Sequence, residues 1–160
     1  MFTNTGASGI LIFALNITFH YIIKTAKDYV DKNNFDVIIL NTSLAAFHIR
    51  MALGKKRPFV VCDDNTYRVA GKQVCELLAQ AGVAHTCYII PCEGERILPS
   101  EWEVGSVVMH YDPACDMLLG VGSGVINDIC KVVAHAAGVP SAIVGTAPSM
   151  DGYASGNASM

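Results

Sequence analysis

Short, continuous apolar runs recur along this chain, and helix-like sequence separates them. The runs are Phe35–Leu40 (FDVIIL), Pro58–Cys62 (PFVVC), Ala84–Ile90, Met117–Val121 and Ser141–Val144. A strand with one wet face alternates apolar and polar residues; a strand covered on both faces does not. Runs of this kind, alternating with helices, specify an α/β fold with a largely parallel sheet and helices on both faces.

The intervening helices have recognisable ends. Tyr21, Ile22, Ala26, Tyr29 and Val30 recur at helical spacing up to about Lys32, where Asn33-Asn34 stops them. Ser43 caps a helix to about Leu53, closed by Gly54, and Thr66–Ala81 is a helix closed by Gly82. Ser100 and Glu103 form a capping box for a helix running to His110, which must stop before Asp112-Pro113. The last helix spans Val125–Ala137 and ends at Gly138. Residues 1–20 show no clean period and receive no assignment. No repeat, low-complexity segment or internal domain boundary interrupts the pattern.

At 160 residues, 52% hydrophobic and 16% charged, the chain is one domain with a sizeable core, and disorder is excluded. The formal net charge is -3, with Lys and Arg scattered along the chain, so nucleic acid is not expected as a partner. The six cysteines include no CxxC pair and read as reduced thiols of a cytoplasmic protein, and the five histidines are dispersed. The apolar run from Gly9 to Ile23 is short of the ~20 residues of a spanning helix, and no basic residue precedes it. A core element is the expectation there, and no membrane span.

Chemistry concentrates in Asp116–Ser155. One apolar run ends in Gly120-Val121-Gly122-Ser123-Gly124, where a helix begins, and the next gives way to a loop of small and hydroxyl residues. Glycines at a helix N-terminus let backbone N–H groups approach an anion, and the helix dipole adds to the attraction. The pattern is neither the G-x-G-x-x-G fingerprint, which would need glycine at Val125, nor a P-loop, which would need G-K-[ST]. On spacing alone it is a phosphate site or a tight strand–helix turn. Asp63, at the end of another run, is either an acid for ribose hydroxyls or a helix cap. Asp151 is the sole Asp, Glu, Lys or Arg between residues 132 and 160, and is either a loop carboxylate making its own turn or one that meets a substrate hydroxyl or a metal.

Four ordered segments resemble the sn-glycerol-1-phosphate dehydrogenases, of the iron-containing alcohol dehydrogenase, glycerol dehydrogenase and dehydroquinate synthase superfamily. They are DDNTYRVAG (63–71), GSVVMHYDP (105–113), GVGSGVINDICK (120–131) and TAPSMDGYAS (146–155). The resemblance covers roughly Ser43 to Met160; the first forty residues are an atypical start. It implies an NAD(P)-binding Rossmann-like domain over 41–160, with 1–40 part of the same domain, and a helical metal-binding domain that this chain lacks. It also implies NAD or NADP contacts at Asp63, at Gly122, Ser123, Gly124, Val125, Ile126, Asn127 and Asp128, at Thr146, Ala147, Pro148 and Ser149, and at Ser155, with Asp151 on the substrate.

The family's divalent metal, zinc or nickel, is held by one Asp and two His that would fall beyond residue 160. Hydride transfer from a secondary alcohol needs such a Lewis acid. The expectation is therefore the nucleotide-binding portion of an oxidoreductase interconverting dihydroxyacetone phosphate and sn-glycerol 1-phosphate, cytoplasmic, homo-oligomeric when complete and inactive as this portion alone. Its partner would be a small phosphorylated polyol. The alternatives are a glycerol or other polyol dehydrogenase, or a stand-alone α/β binding domain without chemistry.

Overall fold

The computed structural model describes residues 10–13, 36–39, 56–92, 96–146 and 158. Strands β1 (Ile10–Phe13) and β2 (Asp36–Ile39) precede β3 (Pro58–Asp63). After β3, helix α1 (Asp64–Thr66), a π-helical turn (Tyr67–Gly71) and α2 (Lys72–Gln80) follow without a break. Then come β4 (Thr86–Ile90), α3 (Glu101–His110), β5 (Met117–Gly122), α4 (Gly124–Ala137) and β6 (Ser141–Gly145).

The strands form one six-stranded sheet in the order β2-β1-β6-β5-β3-β4. Every pairing is parallel. The expected α/β sandwich is therefore present, and its parallel character is complete in these strands.

Alternate residues of the central strands serve two cores. Val60, Cys62, Met117, Leu119, Val121, Ala142 and Val144 face Ala70 of the π turn and Val74 and Leu78 of α2. Phe59, Val61, Leu118 and Ile143 face Val107 of α3 and Ile126, Ile129, Cys130 and Val133 of α4. Full burial of such a side chain is worth roughly 1.5–3 kcal/mol. This is why the runs read as continuous rather than alternating: both faces are dry.

The opposite end of the sheet is tied by polar contacts. Arg57 donates its backbone N–H to Asp116 Oδ1 (2.7 Å) and a guanidinium N–H to Asp112 Oδ2 (3.1 Å). Thr86 Oγ1 donates to the same Asp112 oxygen at 2.7 Å. The approaches to β3, β4 and β5 are thus held in register by two carboxylates, Asp112 and Asp116, and one arginine.

Several boundaries differ from the sequence expectation. β1 lies inside the stretch that had no assignment. The helices expected at 21–32 and 43–53 lie outside the described residues. The helix expected from Thr66 begins at Asp64, because Asp63 rather than a later residue is its cap. Its π-helical turn was not anticipated; a Cβ at Gly71 would lie 3.0 Å from Tyr67 Cδ2, so this glycine leaves room for the Tyr67 ring. At Ser100, the hydroxyl accepts from Trp102 N and bonds the Glu103 carboxylate. Glu103 therefore reaches the cap side chain, not the cap N–H, which is given to Leu98 O. Gly82 and Gly138 both stand at φ 68°, the left-handed turn that ends α2 and α4.

Candidate functional site

The chain reverses direction across the sheet between β3 and β5. From β3 the chain moves outward to the edge strand β4, then returns to place β5 on the other side of β3. The segment leaving β3 packs on one face and α4, leaving β5, on the other. The connections therefore diverge and open a crevice beyond the carboxyl ends of β3 and β5, the place where open α/β sheets bind ligands. Val61 pairs with Gly120, so the same register carried two residues on sets Asp63 level with Gly122; Gly122 in turn pairs with Gly145.

Asp63 forms one wall. It is 9% exposed, and its Oδ1 accepts the Thr66 N–H at 2.7 Å while Thr66 Oγ1 accepts the Asp63 N–H at 3.0 Å. This reciprocal capping box commits one carboxylate oxygen to α1. The neighbouring Asp64 is also engaged: its Oδ2 accepts the Cys92 N–H at 3.0 Å, tying the exit of β4 to the start of α1. Arg68 completes this rim by bonding Asn65 Oδ1 and Asp64 O. Sequence reasoning missed the Asp64–Cys92 contact, which joins residues 28 apart through no local pattern.

The other wall is the start of α4. Ser123 is its N-cap in extended backbone, yet its side chain makes no capping hydrogen bond. Gly124, Val125 and Ile126 follow, and the first N–H groups of a helix have no intrahelical acceptor. Asn127 and Asp128 are almost fully buried, at 4% and 5% exposure. Asn127 Nδ2 has no hydrogen-bond partner among the described residues. Asp128 Oδ1 lies 3.7 Å from Lys131 Nζ. Burial lowers the Lys131 ammonium pKa, and Asp128 opposes that shift. Asp128 is thus part of a covered ion pair at the base of the first turn.

Gly120 and Gly122 have a definite packing task. A Cβ on Gly122 would lie 2.5 Å from Ile126 Cγ1 and 2.7 Å from Ile126 Cβ. One on Gly120 would lie 2.8 Å from Ile143 Cδ1 and 3.1 Å from Cys130 Sγ. These glycines let α4 press against the sheet. Thr146 joins the same edge by donating its N–H to Gly122 O at 3.0 Å.

Asp63, Gly122–Asp128 and Thr146 are therefore gathered at one edge. Ala147, Pro148, Ser149, Asp151 and Ser155 lie outside the described residues. The residues present suit an anion: an uncapped helix start, glycine-enabled close approach and a buried amide N–H lacking an acceptor. They do not form a metal site. Among the described residues no group of three or more His, Cys, Asp or Glu could hold a metal ion. Nor is any helix among them long and apolar enough to cross a membrane.

Comparison with known proteins identifies the family. Residues 42–160 match the family described as iron-containing alcohol dehydrogenase. The chain belongs to that family.

Curated proteins similar to this chain include several glycerol-1-phosphate dehydrogenases. A glycerol-1-phosphate dehydrogenase [NAD(P)+] of Geobacillus thermodenitrificans is 30% identical over 88% of this chain and 37% of its own length. Its namesake in Bacillus subtilis is 37% identical over 62% of this chain and 25% of its own length. The Methanosarcina acetivorans namesake is 34% identical over 66% and 28%. The chain thus spans about a quarter to a little over a third of these relatives. Among solved structures, glycerol dehydrogenase from Schizosaccharomyces pombe superposes with a TM-score of 0.50 at 18% identity, over 86% of this chain and 27% of that one. That likeness concerns the fold.

Proposed function

We propose that this chain is the NAD(P)-binding portion of a glycerol-1-phosphate dehydrogenase-like oxidoreductase. The observation that carries the reading is the uncapped start of α4 at the β3/β5 crevice, beside the buried and unsatisfied Asn127 Nδ2. The names of the curated relatives support the cofactor and substrate.

In this reading the N–H groups at Gly124, Val125 and Ile126 receive the cofactor pyrophosphate, and Ser123 turns its hydroxyl to the same group. The free oxygen of Asp63 accepts from a ribose hydroxyl, leaving its partner oxygen on Thr66. Thr146, Ala147, Pro148, Ser149 and Ser155 line the path of the cofactor, and Asp151 orients a hydroxyl of the phosphorylated polyol. The cofactor would supply the hydride. The Lewis acid for the alcohol would be a zinc or nickel ion held by sequence outside these 160 residues, in a helical domain completing the active site. The protein would work in the cytoplasm as a homo-oligomer.

The test is titration of NADH and NADPH against the full-length enzyme and its Gly124→Val variant, followed by fluorescence. A side chain at Gly124 occupies the space the phosphate needs, so nucleotide binding should vanish in the variant while the fold persists. Unchanged titration in Gly124→Val would remove the cradle assignment. With the full-length enzyme, faster reduction of dihydroxyacetone than of its phosphate would shift the substrate to an unphosphorylated polyol.

A further inference from the structure

The rim beside Asp63 holds a positive charge that its own carboxylates leave uncompensated. Asp63 gives Oδ1 to the Thr66 N–H at 2.7 Å. Asp64 turns Oδ2 to the Cys92 N–H at 3.0 Å and to the Cys92 thiol at 3.5 Å. Arg68 takes two neutral acceptors instead: its Nε–H donates to Asp64 O at 3.2 Å and a terminal N–H donates to Asn65 Oδ1. Among the described residues Arg68 is in no ion pair, and its side chain is exposed. A guanidinium carries five N–H donors, so most of those on Arg68 stay open to solvent or to a ligand.

Both acceptors belong to the residues that directly follow Asp63, so the guanidinium shares a rim with the acid assigned to a ribose hydroxyl. An acid alone at that place favours a free 2′-hydroxyl. A phosphate on the same oxygen would bring about two further negative charges to Asp63 and Asp64. A planar guanidinium answers such a phosphate with two parallel N–H bonds. The Asn65–Arg68 bond is itself exposed, so water can replace Arg68 there when the guanidinium turns to an anion. Other cations are placed differently: Lys131 lies against Asp128 under α4, and Arg57 against Asp112 at the opposite end of the sheet.

We propose that Arg68 admits the 2′-phosphorylated dinucleotide. It grips the 2′-phosphate of NADPH, whereas NADH is held at the same ribose by the free oxygen of Asp63. This inference rests on the NAD(P)-binding reading above and sharpens it: one crevice serves both cofactors. For the phosphorylated form, Arg68 offsets the repulsion of Asp63 and Asp64. Exchanging a neutral amide acceptor for a phosphate dianion replaces one ordinary hydrogen bond with charge-assisted ones, which supplies the attraction.

Fluorescence titration of the full-length enzyme with NADPH and with NADH gives two dissociation constants for each protein. The proteins are wild type, Arg68→Ala, Arg68→Lys and Arg96→Ala, the last removing a charge from the connection between β4 and α3. Arg68→Ala should raise the ratio of the NADPH constant to the NADH constant by roughly tenfold or more, the loss of a hydrogen bond to a charged group. Arg68→Lys should recover part of that loss, since it keeps the charge but not the fork. Adenosine 2′,5′-bisphosphate, which carries the phosphate without the nicotinamide, should likewise bind Arg68→Ala roughly tenfold more weakly than wild type. A ratio unchanged within about twofold in Arg68→Ala would overturn the assignment. So would an equal rise in Arg96→Ala, or a wild-type enzyme that binds NADH but not NADPH. A wild-type enzyme that binds neither nucleotide would overturn the cofactor reading itself, and this proposal with it.

Discussion

Replacing Gly122 with alanine tests whether the glycine motif is set by packing as well as by ligand. The added Cβ would stand 2.5 Å from Ile126 Cγ1 and 2.7 Å from Ile126 Cβ. The Cβ belongs to the root of the side chain, so rotation about χ1 does not remove it, and α4 itself must shift from β5. At Gly120 the nearest atom is Ile143 Cδ1, a side-chain terminus that can turn away. Overpacking costs about 1–3 kcal/mol, which puts Gly122→Ala near ~3 and Gly120→Ala near ~1 kcal/mol. With a urea slope of about 2 kcal/mol/M, the Gly122→Ala midpoint should fall by about 1.5 M. A second change, Ile126→Ala, removes Cγ1 and Cγ2 but leaves its own Cβ, so the double variant should be partly relieved: its loss should be smaller than the sum of the singles by about 1 kcal/mol. Equilibrium urea unfolding followed by circular dichroism reads all five proteins. A Gly122→Ala midpoint within about 0.3 M of wild type, or a larger loss in Gly120→Ala, would refute the close-approach argument.

Three other outcomes follow from single contacts. Asp63→Ala should cost about 1 kcal/mol in thermal or urea unfolding and Asp63→Asn almost nothing, because asparagine caps as well as aspartate; equal losses would show that charge, not capping, holds the position. Cys130 is fully covered and burial pushes its thiol up to about 12, so about one molecule in ten thousand is thiolate at pH 8. Native protein treated with N-ethylmaleimide should leave Cys130 unlabelled by peptide mapping until denaturant is added, and early labelling would contradict its burial. The Asp112 carboxyl is held below its ordinary value of 3.8, first by the Thr86 hydroxyl, then by the Ala114 N–H, with Arg57 adding to both against partial burial. A depressed acid stabilises the fold above its unfolded value and loses that contribution as pH falls through the lower folded value. Wild type should therefore lose more stability than Asp112→Asn on acidification from pH about 4 to 2, and parallel acid limbs would exclude the clamp.

The sequence and the structure part company where information is non-local. Pro58–Cys62 and Met117–Val121 announced strands because burial on both faces leaves no polar alternation. Ile10–Phe13 did not, since four strand residues inside a longer apolar stretch have no length or period to separate them from helix. Strand order was invisible: nothing local to Met117–Gly122 says that it pairs with β3 rather than with β4, which precedes it. The crevice follows from that order alone. Sequence placed the glycine loop correctly at a strand–helix junction but left its partner wall ambiguous, and Asp63 resolves as a cap that retains one uncommitted oxygen.

The two readings of the glycine motif, phosphate site or tight turn, then cease to compete. A helix N-terminus attracts an anion only within its first turn, so the useful field depends on where the helix begins. Gly120 and Gly122 fix that place, because their missing Cβ atoms let Ile126 and Cys130 seat against β5 and β6. A side chain at Gly122 would lift α4 and carry Ser123, Gly124 and Val125 away from the edge shared with Asp63. In the proposed reading, packing glycines thus position the glycine that would meet the cofactor. A Gly122 variant that binds nucleotide poorly would consequently be read first through its unfolding curve, and a Gly124 variant first through its titration.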